Sequence, residues 1–391
     1  MHALLAVAED EYGALDRALS EHPSEWTWVH AGSAEQAQQH LLEQDRAQPF
    51  DVVICDVRLM GSEWLHEVAE RSPVSARVAL TESPAESEDL AAVVIAHQCL
   101  AKQVAGEQLA LALERAQRRR SLSADERARE QLTRLRNLPA LPRTHRELMD
   151  ELREDEPNLT LVAEILADDA AMSAKLLQLI NSPYFGVREE VTAIKQAVVL
   201  LGLDTLHDLA TSHALFQAFT GRVDADSVEH LWREGHVVAA LTDRLSRHLE
   251  LDESTRGELR LAAFVHDIGR LALLSIDGNA YEGLTTLQGA ALLEAERSHF
   301  GIDHAGAGAY VLDLWGLPET LVQAVQHHHQ PPSEPAPWSP GWIVALAALL
   351  ACVPVDDIPA DALGEWATLS GLAADHFAGI CREASAMVHG P

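Results

Sequence analysis

A change of pattern near residue 120 constrains the fold of this chain more than any other feature. Before that point, short runs rich in Val, Leu and Ile alternate with amphipathic stretches, whereas helix-like periodicity alone follows it. Four of the runs are ALLAVAE (3–9), FDVVICD (50–56), ARVALTE (76–82) and HQCLAK (97–102). Buried strands that alternate with helices predict a parallel sheet covered on both faces, so residues 1–120 are predicted to form an α/β, doubly wound domain.

Polar residues follow these runs at the points where the strands would end. They are Glu9 and Asp10 after the first run, and Asp56, Thr81 and Lys102 after the others. Because function gathers at the carboxyl ends of parallel strands, we expect these side chains to converge. Converging carboxylates repel each other unless a hard cation such as Mg²⁺ lies between them. A carboxylate beside Mg²⁺ can accept a phosphoryl group, which Lys102 and Thr81 could then hold.

These residues, in this order and spacing, resemble a response-regulator receiver domain over about 115 residues. The resemblance implies a flavodoxin-like sheet of five parallel strands. It implies that Asp56 is the phosphoacceptor and that Asp56, Glu9 and Asp10 bind Mg²⁺. It also implies that Thr81 is the switch hydroxyl and that Lys102 contacts the phosphate.

The chain departs from the receiver pattern at several positions. Gln103 stands where the family has proline after its lysine, Leu59-Met60 replaces Met-Pro, and Trp64 replaces a glycine. Cys99 occupies the aromatic switch position. Phosphorylation stays chemically feasible, but the usual relay between threonine and an aromatic residue lacks its aromatic partner.

Residues 107–136 are charged and helix-forming, and we assign 121–136 as a helical linker between two domains. A signalling helix or short coiled coil would place Leu109, Leu113, Leu132 and Leu135 on one stripe; a bare exposed linker is the alternative. The basic cluster RAQRRRS (115–121) is interpreted as a solvated helix end, where cations suit the helix dipole. The two prolines of NLPALP (137–142) end the helix.

Residues 137–391 show helix after helix, which predicts an all-α domain. Five stretches in order resemble the HDOD domain, a regulatory relative of the HD-domain phosphohydrolases, with a core match at about 137–335. They are LPALP, ILADDAAMSAKLLQLINSPYFG, AIKQAVVLLG, LAAFVHDIGRLALL and HAGAGAYVLDLWGLPETLVQAVQHHHQP. The resemblance implies a signalling role, usually without demonstrated catalysis.

A His-Asp pair, His266 and Asp267, interrupts the apolar stretch 259–274, which is predicted to be one buried helix. A buried carboxylate is costly unless it has a partner, and either a metal ion, Arg270 or Arg260 would serve. The pair by itself does not distinguish between a metal and an arginine.

Further histidines fall where metal-binding HD relatives place their ligands. The resemblance gives a degenerate metal site composed of His236, His266, Asp267, His304 and His328, with His329 as the alternative to His328. With 20 histidines in the chain, chance placement is the competing interpretation.

One acid of the HD pattern is missing, because Ala348 stands where relatives carry a later aspartate. No GYP signature follows the three histidines. A mononuclear site could still bind Fe²⁺, Mn²⁺ or Zn²⁺. Hydrolysis would also need an open metal position, an activated water and a base, so we assign no catalytic residue.

Charge and composition limit the partners. Sixty acidic and 29 basic side chains give a net charge of −31, which repels nucleic acid and anionic lipid. No apolar run is long enough to cross a membrane, and the N-terminus lacks the basic leader of a signal peptide. The four cysteines lie far apart, as in a cytoplasmic protein with reduced thiols.

We therefore predict a cytoplasmic response regulator that is phosphorylated at Asp56 by a sensor histidine kinase. Its non-catalytic HDOD half would act by binding a downstream protein or a small ligand, and a homodimer is among the arrangements open to it. One alternative is a metal-dependent phosphodiesterase that acts on a nucleotide or cyclic dinucleotide. The other is a phosphorylation-independent scaffold that uses its receiver only for dimerisation.

Overall fold

A computed structural model provides the structure, and it describes most of the chain. The described residues are 1–20, 26–43, 49–81, 95–102, 105–122, 125–135, 142–154, 157–181, 187, 190–203, 205–206, 225–330, 340–370 and 373–389. Within these ranges, a parallel sheet with its helices is followed by helices alone, in agreement with the change of pattern near residue 120. None of the described helices is long and apolar enough to cross a bilayer.

Five parallel strands form a single sheet in the order β2-β1-β3-β4-β5. The strands are β1 (His2–Ala6), β2 (Thr27–Ala31), β3 (Val52–Asp56), β4 (Ala76–Thr81) and β5 (Gln98–Ala101). This order is that of flavodoxin-like folds, so the predicted fold class is supported. Strand β2 lies at an edge, and because it is only partly buried its sequence TWVHA lacks the apolar signature of the other four.

The helices of the N-terminal half are short. Those among the described residues are α1 (Glu9–Ser20), α2 (Ala34–Glu43), α3 (Val57–Met60) and α4 (Ser62–Arg71). Helix α3 follows β3 without a loop, because the Asp56 carboxylate accepts a hydrogen bond from the Arg58 N–H at 2.9 Å. Gly61 separates α3 from α4 with a φ of 73°, a value that favours glycine.

Two helices connect the halves: α5 (Ala105–Leu122) and α6 (Glu126–Thr133). The helix-forming segment 107–136 is thus divided into two helices in its described part. Asp125 begins a new helix because its carboxylate accepts hydrogen bonds from the backbone N–H groups of Arg127 and Ala128. Leu109, Leu113 and Leu132 are buried, so the described part of this segment is packed and is not a bare exposed linker.

Helices alone form the rest of the described chain. They are α7 (Pro142–Leu152), α8 (Leu159–Ala167), α9 (Ala170–Ile180), α10 (Ile194–Leu201), α11 (Ala225–His248), α12 (Glu253–Phe264), α13 (Ile268–Ile276), α14 (Gly278–Glu282), α15 (Gly289–Phe300), α16 (His304–Leu314), α17 (Glu319–His327), α18 (Pro340–Cys352), α19 (Ala360–Ser370) and α20 (Ala374–His389), with a 3₁₀ turn at Val355–Asp357. Helices α13, α16, α17 and α18 pack in succession and surround the buried centre described below.

The stretch 259–274 is broken, which corrects the prediction of one continuous helix. Helix α12 ends at Phe264 and α13 starts at Ile268, so His266 and Asp267 lie in the turn between them. The His266 ring donates a hydrogen bond to the Ala263 carbonyl at 2.7 Å and so satisfies an acceptor at the helix end. Both side chains of the pair are buried, so the turn faces the interior.

Glycines allow α13 and α16 to approach each other closely. A Cβ at Gly269 would overlap the His304 carbonyl oxygen, and one at Gly308 would lie 3.0 Å from the Gly269 nitrogen and 2.8 Å from a Val325 methyl. The two helices therefore meet backbone to backbone beside Asp267 and His304. Small side chains at this crossing are a requirement of the packing.

Candidate functional site

The carboxyl edge of the sheet brings Asp56 and Lys102 together. The Lys102 ammonium donates hydrogen bonds of 2.8 Å to Asp56 Oδ2 and to Glu11 Oε1. Asp56 is only 4% exposed, so an ion pair satisfies its buried charge. Burial opposes the charged lysine, but the bonds to Asp56 and Glu11 outweigh it and raise the pKa of Lys102 above its ordinary value.

The acid of α1 that binds Lys102 is Glu11, which sequence reasoning did not single out. Glu9 and Asp10 are exposed at the start of α1, and Glu9 lies 3.7 Å from the His30 ring. The second oxygen of Glu11 is buried and has no hydrogen-bond partner. An all-oxygen set with an unsatisfied carboxylate oxygen suits Mg²⁺, so Asp56 and Glu11 fit this ion.

The other positions that the receiver resemblance singled out lie on or beside the sheet where they are described. Thr81 is buried and pairs with Ala101, the residue before Lys102, while Asp56 pairs with Leu80 on the same strand as Thr81. Cys99 is buried in β5, and Trp64 in α4 donates a 3.0 Å hydrogen bond to Gln38. Gln103 lies outside the described residues.

A second group of polar side chains converges inside the helical half. One ligand atom each from Asp267, His304, His328 and His329 lies within 4.8 Å of the others. Asp267 comes from the turn before α13, His304 begins α16, and the other two follow the end of α17. Asp303 caps α16 through the Gly306 N–H and so fixes His304 as its first residue.

Hydrogen bonds to the Nδ1 atoms fix the tautomers of three rings. Nδ1 of His266, His304 and His328 contacts only acceptors: the Ala263 carbonyl, the Glu296 carboxylate and the Val325 carbonyl, at 2.6–2.9 Å. Each Nδ1 must therefore carry a proton, which leaves Nε2 as the ligand atom. A carboxylate behind a histidine, such as Glu296 behind His304, is the usual outer support of a metal-bound imidazole.

Two buried atoms at the centre lack hydrogen-bond partners: Asp267 Oδ1 and His328 Nε2. Oδ1 lies 3.3 Å from Nε2 of both His304 and His328, without the geometry of a hydrogen bond. A tetrahedron with bonds of about 2.05 Å has edges of roughly 3.3 Å. These residues therefore fit a metal such as Zn²⁺ or Fe²⁺, which His304, His328, His329 and Asp267 would hold.

The ionisable groups of this centre shift one another's pKa values in different directions. Burial raises the pKa of Asp267, but Arg270 and His266 outweigh it and hold that pKa well below its ordinary value. Burial lowers the pKa of His304, yet the neighbouring carboxylates of Asp267 and Glu296 raise it to about 9. Desolvation and the neighbouring imidazoles of His328 and His304 lower the pKa of His329 below its ordinary value, although this residue is partly exposed to solvent. Nε2 of His304 lies 2.8 Å from Nε2 of His329, so one of the two rings carries the proton of this hydrogen bond.

Two predicted ligands stand apart from this group. The His236 side chain is half exposed, lies 3.9 Å from Asp168 and packs on the Phe264 ring. His266 is buried beside the centre, with Nε2 3.6 Å from Asp267 Oδ2, but it is not one of the four converging donors. Burial lowers its pKa to about 4, against the opposing effect of Asp267.

The supporting residues Glu296 and Tyr281 were missed by sequence reasoning. Glu296 is fully buried, accepts the Tyr281 hydroxyl hydrogen at 2.8 Å and accepts the His304 backbone N–H at 2.9 Å. Its position in the sequence, eight residues before His304 in the amphipathic stretch that forms α15, is the feature that could have identified it. Ala348, in place of the missing aspartate, lies in α18.

The basic cluster at 115–121 connects the two halves. Arg118 and Arg119 of α5 both bind the Asp313 carboxylate at the end of α16, with Arg119 Nη1 2.8 Å from Oδ2. Arg119 and Asp313 are buried. The interpretation of this cluster as a solvated helix end is therefore wrong for these two arginines.

Comparison with known proteins identifies the helical half. The family model of the HDOD domain matches residues 138–331. An uncharacterized protein of Treponema pallidum (strain Nichols) is 25% identical over 215 residues, which are 53% of this chain and 40% of that protein. The chain thus spans less than half of that relative's length.

Solved structures are similar in fold. A virulence factor from Campylobacter jejuni is 20% identical, with a TM-score of 0.51 over 68% of this chain and 98% of its own. The MmoQ response regulator from Methylococcus capsulatus is 23% identical, with a TM-score of 0.49 over 63% of this chain and 98% of its own. The match to the family model shows that residues 138–331 are an HDOD domain.

Proposed function

We propose that this chain is a phosphorylation-controlled signalling regulator. A phosphoryl group from a sensor histidine kinase is transferred to Asp56, and the HDOD domain responds by binding a downstream protein or a small ligand. The observation that carries the proposal is the bridge from Lys102 to Asp56 and Glu11, at the carboxyl edge of a sheet fused to an HDOD domain.

The chemistry requires little rearrangement. An Asp56 carboxylate oxygen forms the new P–O bond while the P–N bond of the kinase phosphohistidine breaks. Mg²⁺ at Asp56 and Glu11 would offset the charge. The product adds roughly −1.5 to −2 of charge where one ammonium already serves two carboxylates. Its oxygens compete with Glu11 for Lys102, which immediately precedes the segment leading into α5.

Phosphorylation is tested on the full chain with acetyl phosphate and Mg²⁺. The wild-type protein should gain the mass of one phosphoryl group, and Asp56→Asn should not. Glu11→Gln should slow the gain, whereas Asp10→Asn, an exposed control in the same helix, should not. A chain without any mass gain would favour the phosphorylation-independent scaffold and overturn the proposal. The proposal would also be overturned if amide exchange in the HDOD domain were the same with and without acetyl phosphate.

The buried His-Asp group favours a second candidate, a metal centre inside the HDOD domain. Four protein donors fill a tetrahedral metal, whereas catalytic sites keep a position open for water. The acid at position 348 is also missing. The arrangement therefore supports a structural or sensing centre better than a phosphodiesterase.

Elemental analysis of the purified chain separates these options. We expect one transition metal per chain in wild-type protein and less than a tenth of that in Asp267→Asn. Turnover of nucleotide or cyclic dinucleotide substrates with Mn²⁺ or Fe²⁺ that disappears in His266→Ala would establish the phosphodiesterase instead.

A further inference from the structure

We infer that the receiver half positions His304 through Asp313, because these residues lie at opposite ends of helix α16. The inference rests on the metal centre proposed above and adds its regulation. It assigns to Asp313 a positioning role, since the residue acts on the centre only through the helix that it ends.

Residues of the receiver half and of α5 bind the C-terminal end of α16. Gln98 of β5 donates hydrogen bonds of 3.3 Å to the carbonyls of Asp313 and Leu314, at the last residues of this helix. Arg118 and Arg119 of α5 hold the Asp313 carboxylate. The strand and the helix on either side of Lys102 thus both contact the end of α16.

Buried ion pairs at Asp313 stabilise the contact between α5 and the end of α16. The Asp313 side chain is fully buried, and Arg119 is 5% exposed. Removing one partner of such a pair leaves an uncompensated buried charge, so the pair resists separation. A displacement of α5 is therefore passed to α16 more readily than it is absorbed by loss of the contact.

The N-terminal end of α16 is part of the metal centre. His304 is its first residue, and nine residues at about 1.5 Å each separate it from Asp313 by roughly 13.5 Å. Glu296 binds both the ring and the backbone N–H of His304. A shift of the helix along its axis consequently moves a ligand atom.

The glycine crossing determines which distances such a shift would change. Because α13 and α16 meet backbone to backbone at Gly269 and Gly308, Asp267 and His304 move together. His328 and His329 instead follow α17, a separate helix that packs on α16 and meets this crossing through the Val325 side chain. Motion of α16 therefore alters the separation between the two pairs of ligands and with it the affinity for metal.

The test measures Co²⁺ affinity of the chelator-stripped full chain from its visible absorption, without phosphorylation. Asp313→Asn and Gln98→Ala should each bind Co²⁺ roughly fivefold or more weakly than wild type. Arg244→Met, which breaks an exposed ion pair with Glu383, is the control and should bind as wild type does. Amide exchange of peptides covering 263–271 and 301–307 is recorded for the same proteins and should accelerate in both test variants.

Each outcome decides the inference. If both variants fold and have the Co²⁺ affinity and amide exchange of wild type, the inference is overturned. If Asp313→Asn does not fold, the result for Gln98→Ala decides. If wild-type protein binds no Co²⁺, the metal centre fails; accelerated exchange at 301–307 would then still support positioning by Asp313, and unchanged exchange would refute it. A failure of Asp56 phosphorylation is seen separately by mass and leaves this result intact.

Discussion

Asp267 Oδ1 and His328 Nε2 face each other at 3.3 Å in the interior of the HDOD domain, yet no hydrogen bond joins them. The nearest ring proton of His328 is on Nδ1, where the Val325 carbonyl accepts it. Two lone pairs therefore oppose each other in a buried place, at a cost of about 1–3 kcal/mol for each unsatisfied group. A cation between them would turn this cost into stabilisation.

Metal should accordingly stabilise the fold. Zn²⁺ added to chelator-stripped protein at 100 times its Kd should raise the free energy of unfolding by about 2.7 kcal/mol, since it binds the folded chain alone. Chemical denaturation measures this increase. Asp267→Asn should lose the increase, and His236→Ala should retain it because His236 lies outside the group. An equal response from Asp267→Asn would show that Zn²⁺ binds elsewhere.

The carboxylate behind His304 should tune metal affinity without touching the metal. Glu296→Gln removes the charge that orients the ring, and such changes typically weaken binding by about 10–100-fold. Competition with a chromophoric chelator measures the affinity for Zn²⁺. Glu294→Gln, an exposed change in the same helix, is the matched control. Equal affinities for the two variants would contradict the assigned role of Glu296.

The glycine crossing should tolerate no side chain. Gly269→Ala places a methyl against the His304 carbonyl, so we expect a loss of about 1–3 kcal/mol in the free energy of unfolding and weaker Zn²⁺ binding. Gly364→Ala, in α19 with open space around it, should instead add roughly 0.5–1 kcal/mol. Chemical denaturation compares the two variants. Stabilisation by both would mean that α13 and α16 are not in close contact.

Strand ends and helix caps were the parts of this molecule that the sequence predicted best. The apolar runs identified four strands, and Asp303 marked the start of α16, because each depends on local chemistry. The convergence of Asp56 and Lys102 also followed, since parallel strands end at one edge. Strand β2 was not identified individually because an edge strand lacks a continuous apolar run.

Contacts between residues that are far apart in the sequence could not be predicted from local patterns. Nothing local distinguishes Glu11 from Glu9 and Asp10, and only the helix geometry turns Glu11 toward Lys102. Arg118 and Arg119 resembled a solvated helix end because their partner, Asp313, lies 194 residues from Arg119. His329 was ranked below His328 because adjacent residues at a helix end cannot be oriented from spacing alone.

A buried lysine between the halves should make stability depend on pH. Lys175 of α9 is 2% exposed and lies 5.7 Å from the centre of the Trp315 ring. Burial, with a smaller contribution from Arg77, lowers its pKa from 10.5 to about 8 against the opposing effect of Cys99. Between these values the unfolded chain binds more protons, so the lysine's penalty is complete below pH 8 and is relieved as pH rises toward 10.5.

Lys175→Met should remove this penalty. At pH 7 we expect a gain on the order of 3 kcal/mol in the free energy of unfolding, which should shrink as pH rises toward 10.5. Urea denaturation at a series of pH values from 7 to about 10 measures both effects. Lys195→Met, at an exposed position in α10, is the matched control and should stay within about 0.5 kcal/mol of wild type. A gain that stays constant across this range would show that Lys175 acts by packing rather than by its charge.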